Sequence, residues 1–259
     1  MSWSARQYVA FEDERTRPVR DLVNAIPADG PRSAVDLGCG PGNSTEVLAA
    51  RFPGAVLTGI DSSADMIEAA RKRLPTVRFE IASIEDWDAA ERVDVILANA
   101  VLHWIPDHAV LLPRLIGTLA AGGSLGIQMP DNLNEPALRL MSEVGGAGPW
   151  AAKLVDAAKA RTSVESAAWY YNLLRPHCAR VDVWRTTYHH PLAGGAAAVV
   201  AWFKGSGLRP FLDPLDAGEK AEYLDQYQAA IVRAYPSAED GTVLLPFPRL
   251  FVVATRSTR

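Results

Sequence analysis

The sequence predicts an α/β fold: a doubly wound, mostly parallel sheet of about seven strands, with helices on both faces and a helical cap. Three observations carry that prediction. Apolar strand-like runs alternate with helical runs four times at short spacing between residues 34 and 129. The run Val93-Asp94-Val95-Ile96-Leu97-Ala98-Asn99-Ala100 is nearly continuous in apolar residues, as a strand buried on both faces requires. The stretch from Val35 to Ser44 sets an acid, three alternate glycines and a helix start within ten residues, the kind of turn that lets backbone approach a nucleotide-like ligand.

Taken in order, Pro18 opens a helix that leads to Ile26. Ala34 to Leu37 reads as the end of a buried strand, and Gly38, Gly40 and Gly42 turn the chain where a Cβ would clash. Asn43 or Ser44 then caps a helix running to about Arg51. Ala55 to Asp61 is a second apolar strand ending in an acid roughly 20 residues after the turn, a position from which a carboxylate reaches ribose hydroxyls. Asp61 is equally placed to cap the helix Ala64 to Arg73, although Ser62 or Ser63 can take that role and leave Asp61 for a ligand. A third strand, Val77 to Ile81, leads into Ala82-Ser83-Ile84-Glu85-Asp86-Trp87, where Trp87 reads as core rather than as a stacking platform. The fourth strand ends in Asn99-Ala100. The fifth, Ser124 to Met129, follows a helix stop and turn at Leu119-Ala120-Ala121-Gly122-Gly123.

Ligands of such sheets bind outside the carboxyl ends of the strands, where Asp36, Gly38, Asp61, Ser83 and Asn99 all fall. Beyond the sheet core, Val181 to His190 reads as a further strand. Residues 132–179 and 191–248 are mainly helical and rich in aromatic and basic side chains, among them Trp150, Tyr170, Tyr171, Trp202, Lys204, Arg209, Tyr223, Tyr227, Tyr235 and Arg249. These segments are expected to close over the strand ends.

Composition bounds the function. With 26 Lys and Arg against 30 Asp and Glu, the net charge of −4 supplies no global field for nucleic acid, so no nucleic-acid partner is expected. The 2 cysteines, Cys39 and Cys178, give neither a zinc nor a disulfide framework, and an intracellular, cytoplasmic setting fits. The first residues carry Trp3, Arg6, Glu12, Asp13 and Glu14 instead of an apolar signal core, and no apolar run nears the ~20 residues that span a bilayer. No metal is expected: His189 and His190 are adjacent on a strand and point to opposite faces, and His177 reads as surface. His103 and His108 lie just beyond the Asn99 strand end, within reach of a substrate.

The glycine spacing separates two cofactor types. A dinucleotide fingerprint wants G-x-G-x-x-G, but the third glycine here is Gly42, one place early, with Asn43 where the fingerprint glycine belongs. The pattern D-x-G-x-G-x-G from Asp36 to Gly42 instead resembles motif I of the class I, Rossmann-like, S-adenosylmethionine-dependent methyltransferases. That resemblance implies a cofactor site in which Asp36 helps to hold the ligand's ammonium group, Gly38, Gly40 and Asn43 form the turn, Asp61 and Ser62 meet the ribose, Ser83 and Ile84 meet the adenine, and Asn99 meets the methionine half.

A narrower resemblance runs almost end to end. It is carried by Trp3 with Tyr8 and Phe11, Glu14-Arg15-Thr16-Arg17-Pro18, Gly59-Ile60-Asp61-Ser62-Ser63, Ala98 to Trp104, Gln128-Met129-Pro130-Asp131-Asn132, Glu135-Pro136, Tyr170-Tyr171, Leu208-Arg209-Pro210, Ala234-Tyr235-Pro236 and Leu245 to Phe251. These segments are similar to the trans-aconitate methyltransferase family. The resemblance implies a single methyltransferase domain over residues 1–259, with an N-terminal lid segment (1–30), a cofactor-binding core (31–130) and helical cap insertions (131–180 and 191–248). It further implies methyl transfer from S-adenosylmethionine to a carboxylate of a small anionic tricarboxylate, by a monomer or weak homodimer that engages no membrane. Arginine suits the acceptor's remaining carboxylates because its planar fork donates two parallel hydrogen bonds. The candidates are Arg209 and Arg249 in the cap and Arg15 and Arg17 near the N-terminus, with Tyr171, Trp104 and His103 shaping the wall. Another small carboxylic acid or an amine as acceptor, a nicotinamide-dependent oxidoreductase, and a non-catalytic S-adenosylmethionine-binding protein are the competing readings.

Overall fold

The computed structural model describes residues 12–160 and 164–258. Their strands form a seven-stranded sheet in the order β3-β2-β1-β4-β5-β7-β6. The strands are β1 (Ser33–Leu37), β2 (Val56–Asp61), β3 (Arg78–Ile81), β4 (Val93–Asn99), β5 (Leu119–Pro130), β6 (Cys178–Leu192) and β7 (Val243–Arg256). The pairs β1–β2, β2–β3, β1–β4 and β4–β5 are parallel. Ser124 Oγ, midway along β5, lies 3.0 Å from Thr255 Oγ1, whereas Asp131 N, just past the end of β5, donates to Pro248 O at 2.9 Å. β7 therefore runs against β5. From β1 the chain steps outward to β2 and β3 on one side and returns to β4 on the other, so the strand order reverses between β1 and β4. That reversal opens a crevice at the carboxyl ends of those two strands.

The chain divides into two compact units. Among the described residues, the first contains 12–130, 164–186 and 250–258, and the second 131–160 and 187–249. Residues 164–180, assigned to the cap on sequence, cluster with the first unit.

In the first unit the helices are α1 (Glu12–Ala25), α2 (Asn43–Arg51), α3 (Ala64–Arg73), α4 (His108–Thr118) and α6 (Ala167–Leu174), α5 belonging to the second unit. Val35, Leu37, Ile60, Ile96, Ala98, Leu112, Leu115, Leu125, Ile127 and Val252 form its main core. Pro18 does not open α1 but sits inside it. A proline there forgoes one backbone bond. Val19, Leu22, Val23 and Ile26, spaced to share one helix face, are buried, and that burial favours continuing the helix through it. The fifth strand also starts earlier than the sequence suggests, at Leu119. The glycine turn survives as an irregularity in the ladder: Val93 pairs with Leu119 but Val95 with Ser124, and Gly122 takes φ +78°. Neither Asn43 nor Ser44 caps α2. The cap is Gly42 at φ 91°, and Ser44 is turned to another task described below.

In the second unit the helices are α5 (Pro136–Ala147), α7 (Gly195–Lys204), α8 (Arg209–Leu212) and α9 (Ala217–Ala234). α9 begins with a reciprocal cap in which Asp216 accepts from Glu219 N and Glu219 accepts from Asp216 N. One turn apart on α9, buried Tyr223 and Tyr227 donate to Met141 O (2.9 Å) and Ala137 O (3.0 Å) of α5, while Ala137 N donates to the Tyr235 hydroxyl at 3.1 Å. Each buried hydroxyl thus has a backbone partner, which offsets the cost of removing it from water. Among the described residues no helix is long and apolar enough to cross a membrane.

Candidate active site

The carboxyl ends of β1, β2, β3 and β4 bring most of the cofactor candidates together in the first unit. Asp36 is fully buried beneath the glycine turn. Its Oδ2 accepts from the hydroxyls of Ser44 and Thr45, both at 2.7 Å, in the first turn of α2. Its Oδ1 has no hydrogen-bond partner among the described residues. Burial, opposed by the two hydroxyls and reinforced by the charge of Asp61, pushes the Asp36 carboxyl up to about 7.

Gly38 and Gly40 have positive φ (69° and 53°) for different reasons. A Cβ at Gly38 would lie 2.4 Å from Val101 Cγ2, so the residue just past β4 closes directly onto the turn after β1. A Cβ at Gly40 would meet nothing within 4 Å. The outer limb of the turn therefore faces open space, as a cradle for a ligand must. Asn43 is half-buried at the start of α2.

Asp61 is half-buried at the end of β2, and its two oxygens are steered by backbone: Oδ2 accepts from Gly40 N at 3.0 Å and Oδ1 from Ser63 N at 2.9 Å. Ser63 is the cap residue of α3 without a side-chain bond, so Asp61 instead holds the helix entry. Burial raises its pKa and the two N–H bonds lower it, with a net shift upward. Each carboxylate oxygen keeps acceptor capacity beyond its one N–H, enough for two ligand hydroxyls. Ser62 is exposed beside it.

After β3, the Ser83 hydroxyl accepts from Glu85 N at 3.2 Å, and the Ile84 side chain is buried in the core. Trp87 packs partly buried against the same core. After β4, Asn99 is half-buried with Oδ1 lacking a partner among the described residues. Ala100 takes φ 52° and donates its N–H to Gln128 O at 2.8 Å. Left-handed backbone at a non-glycine residue is strained and gathers at functional sites. Gln128, paired with Asn99 across the sheet and fully buried, is a polar residue at the strand ends that the sequence reading used for the resemblance but did not assign to the site.

The acceptor candidates are more scattered. His103 is buried and Trp104 half-buried on the short 3-10 turn Leu102–Trp104, with ring centroids 4.8 Å apart. His108 does not face a ligand. Its ring is buried, Nδ1 lies 2.8 Å from the Tyr170 hydroxyl and Nε2 2.9 Å from Leu102 O, so both nitrogens are engaged within the fold. Tyr170 on α6 is fully buried, while its neighbour Tyr171 is 43% exposed. Arg17 is exposed on α1. The side chain of Arg15, and Trp3, Tyr8 and Phe11, lie outside the described residues.

In the second unit Arg209 is half-buried at the start of α8, with Nη2 3.9 Å from Asp213 Oδ2. Arg249 is buried, its guanidinium 4.6 Å from the Phe247 ring centroid and 6.0 Å from that of Tyr188. His190 is buried against the same two rings and stacks on Trp202 at 4.6 Å, whereas His189 is exposed, so the adjacent histidines do point to opposite faces. No group of three or more His, Cys, Asp or Glu side chains able to hold a metal occurs among the described residues.

The first unit's acceptors fit the cofactor named by motif I: a buried carboxylate and an amide oxygen without partners, a backbone-oriented carboxylate for hydroxyls, and a glycine whose missing Cβ leaves open space. A methyltransferase-domain family model matches residues 34–123, the part that contains all of them. The fold is similar to that of the YcgJ protein from Bacillus subtilis at TM-score 0.61 and 12% identity, covering 93% of this chain and 98% of that one. It also resembles the plantazolicin methyltransferase BpumL solved in complex with a pentazolic desmethylPZN analog and SAH, at TM-score 0.50 and 19% identity, covering 96% of this chain and 86% of that one. Over 259 residues the sequence is 54% identical to the trans-aconitate 2-methyltransferase of Methylobacterium radiotolerans, covering 99% of both chains. At that identity and coverage, the chain belongs to the trans-aconitate 2-methyltransferase family.

Proposed function

We propose that this protein transfers a methyl group from S-adenosylmethionine to one carboxylate of trans-aconitate, giving the monomethyl ester and S-adenosylhomocysteine. The observation that carries this reading is the 54% identity over 99% of both chains to a relative of that name. A strand-end site with unpartnered acceptors supports it independently.

When bound, S-adenosylmethionine supplies an electrophilic methyl group on a sulfonium. The chain's task is to bind and orient. Asp61, with Ser62 beside it, takes the ribose hydroxyls, Ser83 and Ile84 flank the adenine, and Asp36, Asn99 and the turn formed by Gly38, Gly40 and Asn43 receive the methionine half. The acceptor needs no general base, because a carboxylic acid with a pKa near ~4 is already ionised at neutral pH. Rate then comes from alignment of oxygen, carbon and sulfur, an effect worth up to ~7–11 kcal/mol. The acceptor's other carboxylates call for guanidinium partners, for which Arg209, Arg249, Arg17 and Arg15 are the proposed set, with Tyr171, Trp104 and His103 as apolar and polar walls. We assign the reaction to the cytoplasm and to a monomer or weak homodimer.

The test is to incubate the purified protein with S-adenosylmethionine and trans-aconitate, cis-aconitate, citrate, isocitrate or itaconate, and to detect monomethyl esters by mass spectrometry. Preferential esterification of trans-aconitate is expected. Cofactor binding without esterification of any acid would remove the acceptor assignment while leaving the cofactor site in place.

A further inference from the structure

The loop after β3 is held from outside. Residues 82–92 form no regular element, so their carbonyls need donors from elsewhere. Arg114, in the middle of α4, supplies them: Nη2 donates to Ile84 O at 2.8 Å and to Glu85 O at 3.1 Å, and Nη1 donates to Trp87 O. One half-buried guanidinium thus gathers three carbonyls of a four-residue stretch. Side chains reinforce the grip, since Ile84 is buried in the same core cluster as Leu111 and Leu115 of α4, with Ala82, Trp87 and Ala89 packed against that cluster. Within the loop, the Ser83 hydroxyl accepts from Glu85 N at 3.2 Å.

We infer that Arg114 is a positioning residue for the cofactor: it fixes the path of residues 84–87, and through them the groups that bind the adenine. The inference rests on the assignment of Ser83 and Ile84 to the adenine. The planar fork divides the three carbonyls between two nitrogens, Nη1 for Trp87 O and Nη2 for Ile84 O and Glu85 O. A lysine ammonium at the same place carries the same charge but cannot reproduce the geometry. Loss of the fork frees the loop to sample other paths, and ordering it on ligand binding then weakens affinity. The acceptor side is left untouched, because none of the three carbonyls belongs to residues 99–104.

The experiment uses the full chain as wild type, Arg114→Lys and Arg114→Met, with S-adenosylhomocysteine as the probe. Hydrogen exchange of wild type with and without the probe reports whether residues 82–88 are protected, which tests the adenine assignment itself. Calorimetry then gives the Kd for each variant, and steady-state kinetics separates the cofactor KM from the trans-aconitate KM. Expected are protection of the loop in wild type, faster exchange of residues 84–88 in free Arg114→Met, and a roughly tenfold rise in Kd and cofactor KM, smaller in Arg114→Lys, with the acceptor KM unchanged. Protection in wild type with Kd values within twofold of each other overturns the positioning role and leaves the adenine assignment standing. No protection in wild type overturns both. If Arg114→Met fails to fold, Arg114→Lys alone decides, since an equal rise in both KM values marks a general structural loss and rejects the inference.

Discussion

Asp61 Oδ2 accepts the backbone N–H of Gly40 at 3.0 Å, which ties the acid at the end of β2 to the glycine turn after β1. One carboxylate therefore shapes the turn and, in the proposed function, also receives the ribose hydroxyls. Asp61→Ala should lose both effects. Leaving donors without an acceptor costs about 1–3 kcal/mol, so the Kd for S-adenosylhomocysteine is expected to rise by roughly fivefold to a hundredfold by calorimetry. An unchanged Kd would remove Asp61 from the site.

The two glycines of the turn should separate stability from binding. Gly38→Ala drives a Cβ into Val101 at 2.4 Å in addition to its φ of +69°, and a destabilisation of roughly 2–4 kcal/mol is expected in urea unfolding. Gly40→Ala meets open space and bears only the backbone strain of φ +53°, about 1–2 kcal/mol. Its larger effect should fall on cofactor affinity, because the new methyl occupies the face left open for the ligand. The reverse ranking would contradict the cradle.

Legibility of the fold followed sequence distance. The glycine turn and the β2 acid are local patterns and appear at the predicted positions, and the strands β1 to β4 do so to within a residue or two. Pro18 misled because its preference is local, whereas the buried face of Val19, Leu22 and Ile26 is tertiary. The Gly122-Gly123 signal was real but describes a ladder irregularity, and composition alone does not distinguish a turn before a strand from a bulge within it. His108 was read toward a ligand, yet its partner Tyr170 is 62 residues away and leaves no periodic trace. Arg114 is equally silent in sequence, since an arginine in mid-helix most often faces solvent.

Asp36 predicts a pH effect. Its folded carboxyl titrates near 7 against an ordinary 3.8, so between those values the folded state holds a proton that the unfolded state has released. Stability from this group therefore declines as pH rises from about 4 to about 7 and is level above that. Asp36→Asn should flatten that part of the stability profile. A cationic ligand group near Oδ1 favours the ionised form, so binding of S-adenosylhomocysteine near pH 6.5 should release protons, seen as a dependence of the calorimetric enthalpy on buffer ionisation. Proton uptake, or none, would separate Asp36 from the ammonium.

The His108–Tyr170 pair fixes the loop that carries His103 and Trp104, because the other His108 nitrogen holds Leu102 O. Tyr170→Phe leaves a buried ring nitrogen without its partner, at a cost of about 1–3 kcal/mol. A lower Tm is expected, together with a raised trans-aconitate KM if the 102–104 turn walls the acceptor. A normal Tm would mean that the hydroxyl contributes nothing net.

Arg249 and Arg209 provide the test of acceptor recognition. Arg249 is buried with its guanidinium over the Phe247 ring, packing that restricts the side chain's conformational freedom. Arg209 is half-buried, and its charge lies 3.9 Å from that of Asp213. A pre-ordered guanidinium loses little entropy when it takes up a carboxylate, so Arg249 should contribute more than Arg209. Arg249→Met is expected to raise the trans-aconitate KM by on the order of tenfold to a hundredfold, the range for a lost hydrogen bond to a charged group, and Arg209→Ala by less. Neither should change the Kd for S-adenosylhomocysteine, because both replacements lie outside residues 36–99, to which the proposed cofactor site is confined. A parallel loss of cofactor affinity would assign the arginines to the scaffold instead of the acceptor. A monocarboxylate analogue sharpens the comparison: its turnover should be nearly insensitive to Arg249→Met, since it lacks the second carboxylate proposed to meet this arginine.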